Sequence, residues 1–171
     1  MNLNQFTIKS REALELATQM AVNGGNGQID TAHLLLALHK VDDNVIPFMV
    51  AKLGVNIQMI IKQAEAIVTG YPKVTGGEVY ASRDLQQVLN NAVRLLSKGN
   101  DEYVTTGHLF IALSEGDDST GKMLRNSGVL RKDLEKAMAE INQGESVKSA
   151  TAEETYNALN RYARNLNELA L

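Results

Sequence analysis

Gln28-Ile29-Asp30-Thr31-Ala32-His33-Leu34-Leu35-Leu36-Ala37-Leu38 returns, altered but legible, as Tyr103-Val104-Thr105-Thr106-Gly107-His108-Leu109-Phe110-Ile111-Ala112-Leu113. His33 and His108 stand 75 positions apart, and Lys52-Leu53-Gly54-Val55 is answered by Asn126-Ser127-Gly128-Val129 at nearly the same offset. A repeat of this length implies two copies of one supersecondary unit, stacked so that each buries an apolar face it cannot cover alone. In both copies a polar residue (Asp30 or Thr31, Thr105 or Thr106) precedes a run that is apolar on every side. That is the pattern of a capped helix enclosed by the rest of its unit.

The flanking sequence has helical period as well. Leu85, Val88, Leu89, Ala92, Leu95 and Leu96 form one stripe behind Ser82 as N-cap, and Phe6, Ser10, Ala13, Leu14, Ala17 and Ala21 form its first-copy counterpart, which ends at the glycines of residues 23–27. A third helix runs from about Asn44 to Leu53 and stops at Gly54; a fourth follows Asn56 with Ile57, Ile60, Ile61, Ala64 and Ile67. The second copy ends a helix near Gly128 and restarts with Leu130, Leu134, Ala137, Met138 and Ile141. The expected fold is therefore all-α: a duplicated four-helix repeat with pseudo-two-fold symmetry, eight helices in all, and strand content close to nil. Repeat one covers about 1–70 and repeat two about 81–143, joined by the turn-rich Gly70-Tyr71-Pro72-Lys73-Val74-Thr75-Gly76-Gly77-Glu78. Residues 144–171 read as a polar linker and one further helix, opened by a capping box at Thr151-Ala152-Glu153-Glu154 and striped by Tyr156, Leu159, Ala163, Leu166 and Ala170. This helix belongs to neither copy and is expected to pack on something C-terminal.

Bulk composition narrows the function. Of 171 residues 44% are hydrophobic, enough for a core, and 17 basic against 20 acidic residues leave no footprint for nucleic acid or an anionic membrane. Cysteine is absent, which excludes disulfides and Cys-based metal or redox chemistry and fits a cytoplasmic setting. The start lacks a secretory signal, so the mature chain is expected to begin at or near Met1, and no apolar run approaches the roughly 20 residues that span a bilayer.

Gly116-Asp117-Asp118-Ser119-Thr120-Gly121-Lys122-Met123 satisfies the spacing of a phosphate-binding loop. Three features oppose that reading: Met123 stands where a magnesium-binding hydroxyl belongs, a helix rather than a strand precedes, and Asp117 and Asp118 would repel polyphosphate. A helix-to-helix loop capped by Asp118 or Ser119 fits better. No carboxylate stands three or four residues after His33 or His108 to build a metal site, so both read as structural residues of a first helical turn. No nucleophile elbow or marked pair of carboxylates suggests catalysis. Two stacked helical units leave a groove, and a groove with exposed apolar residues can receive a peptide.

With these residues in view, the chain resembles the N-terminal domain of the Clp-family AAA+ chaperones. The resemblance rests on Phe6-Thr7, the doubled Thr-x-His-Leu at Thr31 to Leu34 and Thr106 to Leu109, and Leu53-Gly54-Val55 with its copy Ser127-Gly128-Val129, and it covers the whole chain. Tyr71-Pro72-Lys73-Val74, Gly76-Gly77 and Tyr156-Asn157-Ala158-Leu159-Asn160-Arg161-Tyr162 are most similar to the ClpB, or protein disaggregase, branch; Leu166-Asn167-Glu168-Leu169-Ala170 resembles the entry to a first ATPase domain.

The resemblance implies a substrate-engaging domain with no catalytic site, monomeric by itself. It would be part of a homohexameric ATP- and magnesium-dependent machine that extracts unfolded or aggregated polypeptides with a DnaK-type partner. The alternative within the family is an adaptor- or degron-binding domain of a ClpC- or ClpA-type protease regulator. Family substrate contacts fall on Thr7 and Asp101, joined by a groove placed at Leu95 and His108. Gly107 stands where relatives commonly carry a glutamate, so an acidic contact is expected to be missing there, and His108 should make the groove more polar.

Overall fold

The computed structural model describes residues 3–99, 101–142 and 149–153. Each copy folds as four helices: α1 (Ile8–Asn23), α2 (Thr31–Val41), α3 (Val45–Leu53) and α4 (Ile57–Thr69), then α5 (Arg83–Gly99), α6 (Thr106–Ser114), α7 (Ser119–Asn126) and α8 (Arg131–Asn142). Ser82 does begin α5, its hydroxyl accepting the Leu85 N–H at 3.0 Å. Asp30, Thr105 and Asp118 are the caps of α2, α6 and α7. Gly54, at φ 70°, ends α3 in the left-handed conformation that glycine adopts without a Cβ penalty.

The repeated histidines close the capping boxes of α2 and α6, a position more often held by Glu or Gln. The Asp30 and Thr105 N–H groups donate to Nδ1 of His33 and His108, each at 2.9 Å. A neutral ring accepting at Nδ1 carries its hydrogen on Nε2. That hydrogen is directed at Asn26 Oδ1 from His33 and at Asp101 Oδ2 from His108, both at 3.0 Å. Each ring thus ties a helix start to the loop seven residues before it.

The two apolar helices are central, as their all-round hydrophobicity demands. Leu34, Leu35, Leu38, Leu109, Phe110 and Leu113 are no more than 1% exposed, and α2 and α6 touch each other across the seam. The copies also interlock. Helix α4 packs on α7 of the other copy and α8 on α3. The Thr31 hydroxyl donates to Asp118 Oδ2 at 2.6 Å, and the Thr106 hydroxyl to Asp42 Oδ2 at 2.8 Å. Asp42, 2% exposed, also accepts the N–H groups of Asn44, Val45 and Ile46 at 2.9 to 3.0 Å, so one carboxylate serves the start of α3 and the opposite copy together.

Strand is almost, but not wholly, absent. Two-residue strands β1 (Gln28–Ile29) and β2 (Tyr80–Ala81) pair in parallel, and Phe6 bridges Val104 in the same sense. In both places the segment entering the first helix of one copy pairs with the segment entering the second helix of the other. Two residues are too few to show strand alternation in sequence.

The connection after α4 folds back on repeat one. Val74 N–H donates to Gly25 O at 2.9 Å, Asn26 Nδ2 donates to Pro72 O at 3.2 Å, and the Tyr71 ring lies 5.2 Å from that of His33. Residues 149–153 also return to the body: Ala150 O accepts the Ile8 N–H at 2.9 Å, and Glu153 is 4% exposed beside Val45, Thr105 and Ile141. The expected stripe from Tyr156 to Ala170, with Glu154 of its capping box, lies outside the described residues.

Candidate functional site

A cleft of about 370 Å³ opens in repeat two between α5, α6 and α8. Leu95, Ile111 and Met138 give it apolar walls, His108 and Asp101 form its inner end, and Lys98, Arg131 and Glu135 stand among its polar lining. The family resemblance placed Thr7, Leu95, Asp101 and His108 on one surface, and the structure brings the last three together. It adds Ile111, Met138 and the residues of α8, which no local motif singled out.

The residues that α8 gives the cleft differ from those at the same places in α4. At the offset of 74 that relates Val55 to Val129, Arg131, Glu135 and Asn142 stand where α4 carries Ile57, Ile61 and Val68, all buried or half-buried. Branched apolar residues favour close packing on the core, whereas charged ones keep their heads in water and hold the helix face open. Arg131 is held between two carboxylates, with Nε donating to Glu135 at 2.6 Å and a terminal nitrogen donating to Glu115 at 2.8 Å. Those hydrogen bonds, Glu135 first and Glu115 next, push its pKa up against the opposing effect of burial.

Asp101 is turned inward. Its side chain is 11% exposed and Oδ2 accepts from His108, so this carboxylate serves the helix start as well as the cleft. Thr7 does not line the cleft. It is 0% exposed, caps α1 through the Ser10 N–H and donates to Ser10 Oγ, which donates in turn to Val104 O. The reading of Thr7 as a surface contact therefore gives way to a buried cap that fastens α1 to repeat two. Gly107 has a steric reason: a Cβ there would lie 3.2 Å from Met138 Sδ and 3.4 Å from both Thr105 Oγ1 and Val45 Cγ1. A glutamate would meet α3 and α8 before it reached solvent.

Residues 5–127 match the Clp repeat (R) N-terminal domain family. The chain belongs to that family. It is 38% identical over 170 residues to the chaperone protein ClpB of Bacteroides thetaiotaomicron, covering 99% of this chain and 20% of that protein. With ClpB of Porphyromonas gingivalis the identity is 35% over 97% of this chain and 19% of that protein. The chain thus spans about one fifth of the length of the curated relatives it matches. In fold it is similar to the N-terminal domain of Hsp104 from Candida albicans, with a TM-score of 0.76 at 20% identity over 87% of this chain and 99% of that one. A ClpV N-domain in complex with a VipB peptide gives 0.67 at 20% identity, covering 85% and 92%.

Elsewhere in this Clp N-domain, the phosphate-loop spacing has another purpose. The segment follows α6, Asp118 Oδ1 takes the Gly121 N–H at 3.0 Å, and a Cβ on Gly121 would lie 2.1 Å from Gly116 O. Glycine is there so that α7 can start against the preceding turn. Oxygens of Asp30, Asp84 and Asp118 lie within 4.8 Å of one another and could face a cation, but each belongs to the start of a different helix, where the macrodipole favours a carboxylate. Asp30 Oδ1 already accepts from Thr31 N–H and Ser82 Oγ. Burial first, then the charges of Asp118 and Asp30, pushes the Asp84 pKa up. No single helix among the described residues is long and apolar enough to cross a membrane.

Proposed function

We propose that this domain captures unfolded or aggregated polypeptide in the cleft between α5, α6 and α8 and presents it to an ATP-driven ring of the ClpB type. The ring, its ATP and magnesium, its hexameric state and a DnaK-type partner belong to the rest of a longer cytoplasmic protein. The observation that carries the reading is the apolar-walled cleft of repeat two, where three of the four expected contact residues meet. Two further facts support it: the ClpB relatives, and a structural neighbour that holds a peptide.

Burial of one leucine-sized side chain contributes about 1.5–3 kcal/mol, and ordering a flexible chain offsets much of that. Binding is accordingly weak and reversible, which suits a domain that must release what it catches. The test is a titration of the domain with a fluorescently labelled, permanently unfolded protein. Leu95→Ala should weaken binding by about tenfold, or about 1.4 kcal/mol, and a thermal melt checks that the variant, whose Leu95 also packs on the core, remains folded. Unaltered affinity in that variant would remove the cleft from consideration.

A further inference from the structure

Two smaller troughs continue the cleft along α5. The first, about 300 Å³, shares Leu95, Lys98 and Arg131 with the cleft and adds Asn91, Arg94 and Glu115. The second, about 220 Å³, shares Asn91 and Arg94 with the first and extends to Arg83. The shared residues make one groove, following the exposed face of α5 back from Lys98 to Arg83. At ~1.5 Å per helical residue this stretch is about 22 Å long, and at ~3.3 Å per extended residue it accommodates about seven residues of a bound chain.

The groove changes character along its length. One end is the apolar-walled cleft; the rest is polar and carries the exposed cations Arg83, Arg94 and Lys98. The two glutamates beside it, Glu115 and Glu135, are both drawn to Arg131. Among the described residues no salt bridge engages Arg83, Arg94 or Lys98, and the Arg94 guanidinium donates to the neutral Asn91 Oδ1 at 3.1 Å. Asp101, which by itself suggests a taste for basic side chains, faces the inner end and is held by His108. At the far end Arg83 stands beside Asp84, which clusters with Asp30 and Asp118, so the positive charge presented along α5 is that of Lys98 and Arg94.

From this charge pattern we infer that the segments preferred by this domain are extended, about seven residues long, with an apolar anchor for the cleft followed by acidic side chains lying over Lys98 and Arg94. The inference rests on the cleft being the polypeptide-binding site. It specifies a chemical class within that role: acidic-flanked apolar stretches rather than basic-flanked ones. Since Arg94 and Lys98 are both exposed, the preference should weaken as salt screens it.

The test uses three labelled peptides with the same leucine- and phenylalanine-containing anchor and glutamate, serine or lysine flanks, titrated into the full chain at low and high salt. The Arg94→Glu/Lys98→Glu variant is titrated in parallel, and its thermal melt checks that it folds. The glutamate-flanked peptide should bind about fivefold tighter than the serine-flanked one at low salt. High salt should abolish that advantage, and the variant should reverse it in favour of lysine flanks. Equal or weaker binding of the glutamate-flanked peptide, with the serine-flanked peptide still bound, overturns the inference and leaves the cleft reading standing. If none of the three binds, the cleft reading fails and the inference falls with it.

Discussion

Repeat one and repeat two share a backbone plan down to their histidine caps, yet their surfaces differ: the cleft of about 370 Å³ lies in repeat two, and a pocket of about 210 Å³ lies in repeat one between residues 26–30 and 71–74. The difference lies in the fourth helices: Ile57, Ile61 and Val68 of α4 against Arg131, Glu135 and Asn142 of α8. It lies also in what covers the second helix of each copy, Tyr71 against His33 in one and Glu153 beside Thr105 in the other. A duplicated fold can thus give its two copies different surfaces through a few side chains, with no change of helix order.

The largest expected effect tests the interlock between the copies. Asp42 accepts three backbone N–H groups and the Thr106 hydroxyl, whereas Asp118 accepts the Gly121 N–H and the Thr31 hydroxyl. Asp42→Ala should cost about 3 kcal/mol in urea denaturation and Asp118→Ala about half as much, since hydrogen bonds to charged groups are each worth about 1.5–3 kcal/mol and are not additive. The opposite order would show that the copies are held together mainly elsewhere.

Next in size is the conversion of α8 towards α4. Arg131→Ile, Glu135→Ile and Asn142→Val combined should stabilise the domain by about 1–2 kcal/mol by burying apolar area, and should weaken polypeptide binding at least about tenfold by filling the cleft. A filled variant that still binds would move the site away from α8.

Tyr71 supplies a spectroscopic test confined to repeat one. Burial first, then the charge of Asp30, pushes its pKa from 10.0 to about 12. In an absorbance titration one of the five tyrosines should resist ionisation until that range. Because the folded value is the higher, the associated stability is present below pH 10 and is lost as the pH rises towards 12. If segment 70–74 left the body in solution, this late-ionising tyrosine would be missing from the titration.

The smallest effect concerns His33. Burial lowers its pKa, and the opposing influence of Asp30 does not cancel it. A histidine with a depressed folded value contributes stability above its unfolded value of 6.5 that is lost as the pH falls through the folded one. Melting temperatures between pH 8 and 5 should therefore decline on the acid side, and His33→Gln should flatten that decline. A decline unchanged in the variant would assign it to other groups.

What was legible in the sequence was local. The helix at Leu85 to Leu96, its Ser82 cap and the enclosed runs at Leu34 and Leu109 follow from periodicity and from short-range hydrogen bonds, which leave their mark within a few residues. The choice of Asp30 and Thr105 over their neighbours, and the histidines as capping partners, required coordinates. Thr7 was identified by its resemblance to a family contact, yet here its hydroxyl is spent within the first turn and is wholly buried. Contacts from one copy to the other, such as Thr31 to Asp118 across 87 positions, have no local pattern at all. One signal was available: an aspartate stands just before the third helix of each copy, at Asp42 and Asp118, each opposite the other copy's repeated threonine.

The reciprocity of those two hydrogen bonds, residue i to j and the copy of j to the copy of i, is the contact pattern of an isologous homodimer. A single repeat released from this chain would carry a threonine hydroxyl and a helix-capping aspartate whose partners belong to a second molecule. Its folding would then depend on protomer concentration by mass action. Joining the copies through residues 70–80 replaces that dependence with a fixed local concentration. It also lifts the identity that a symmetric dimer imposes on both halves, so Arg131 and Ile57 can occupy equivalent places at once.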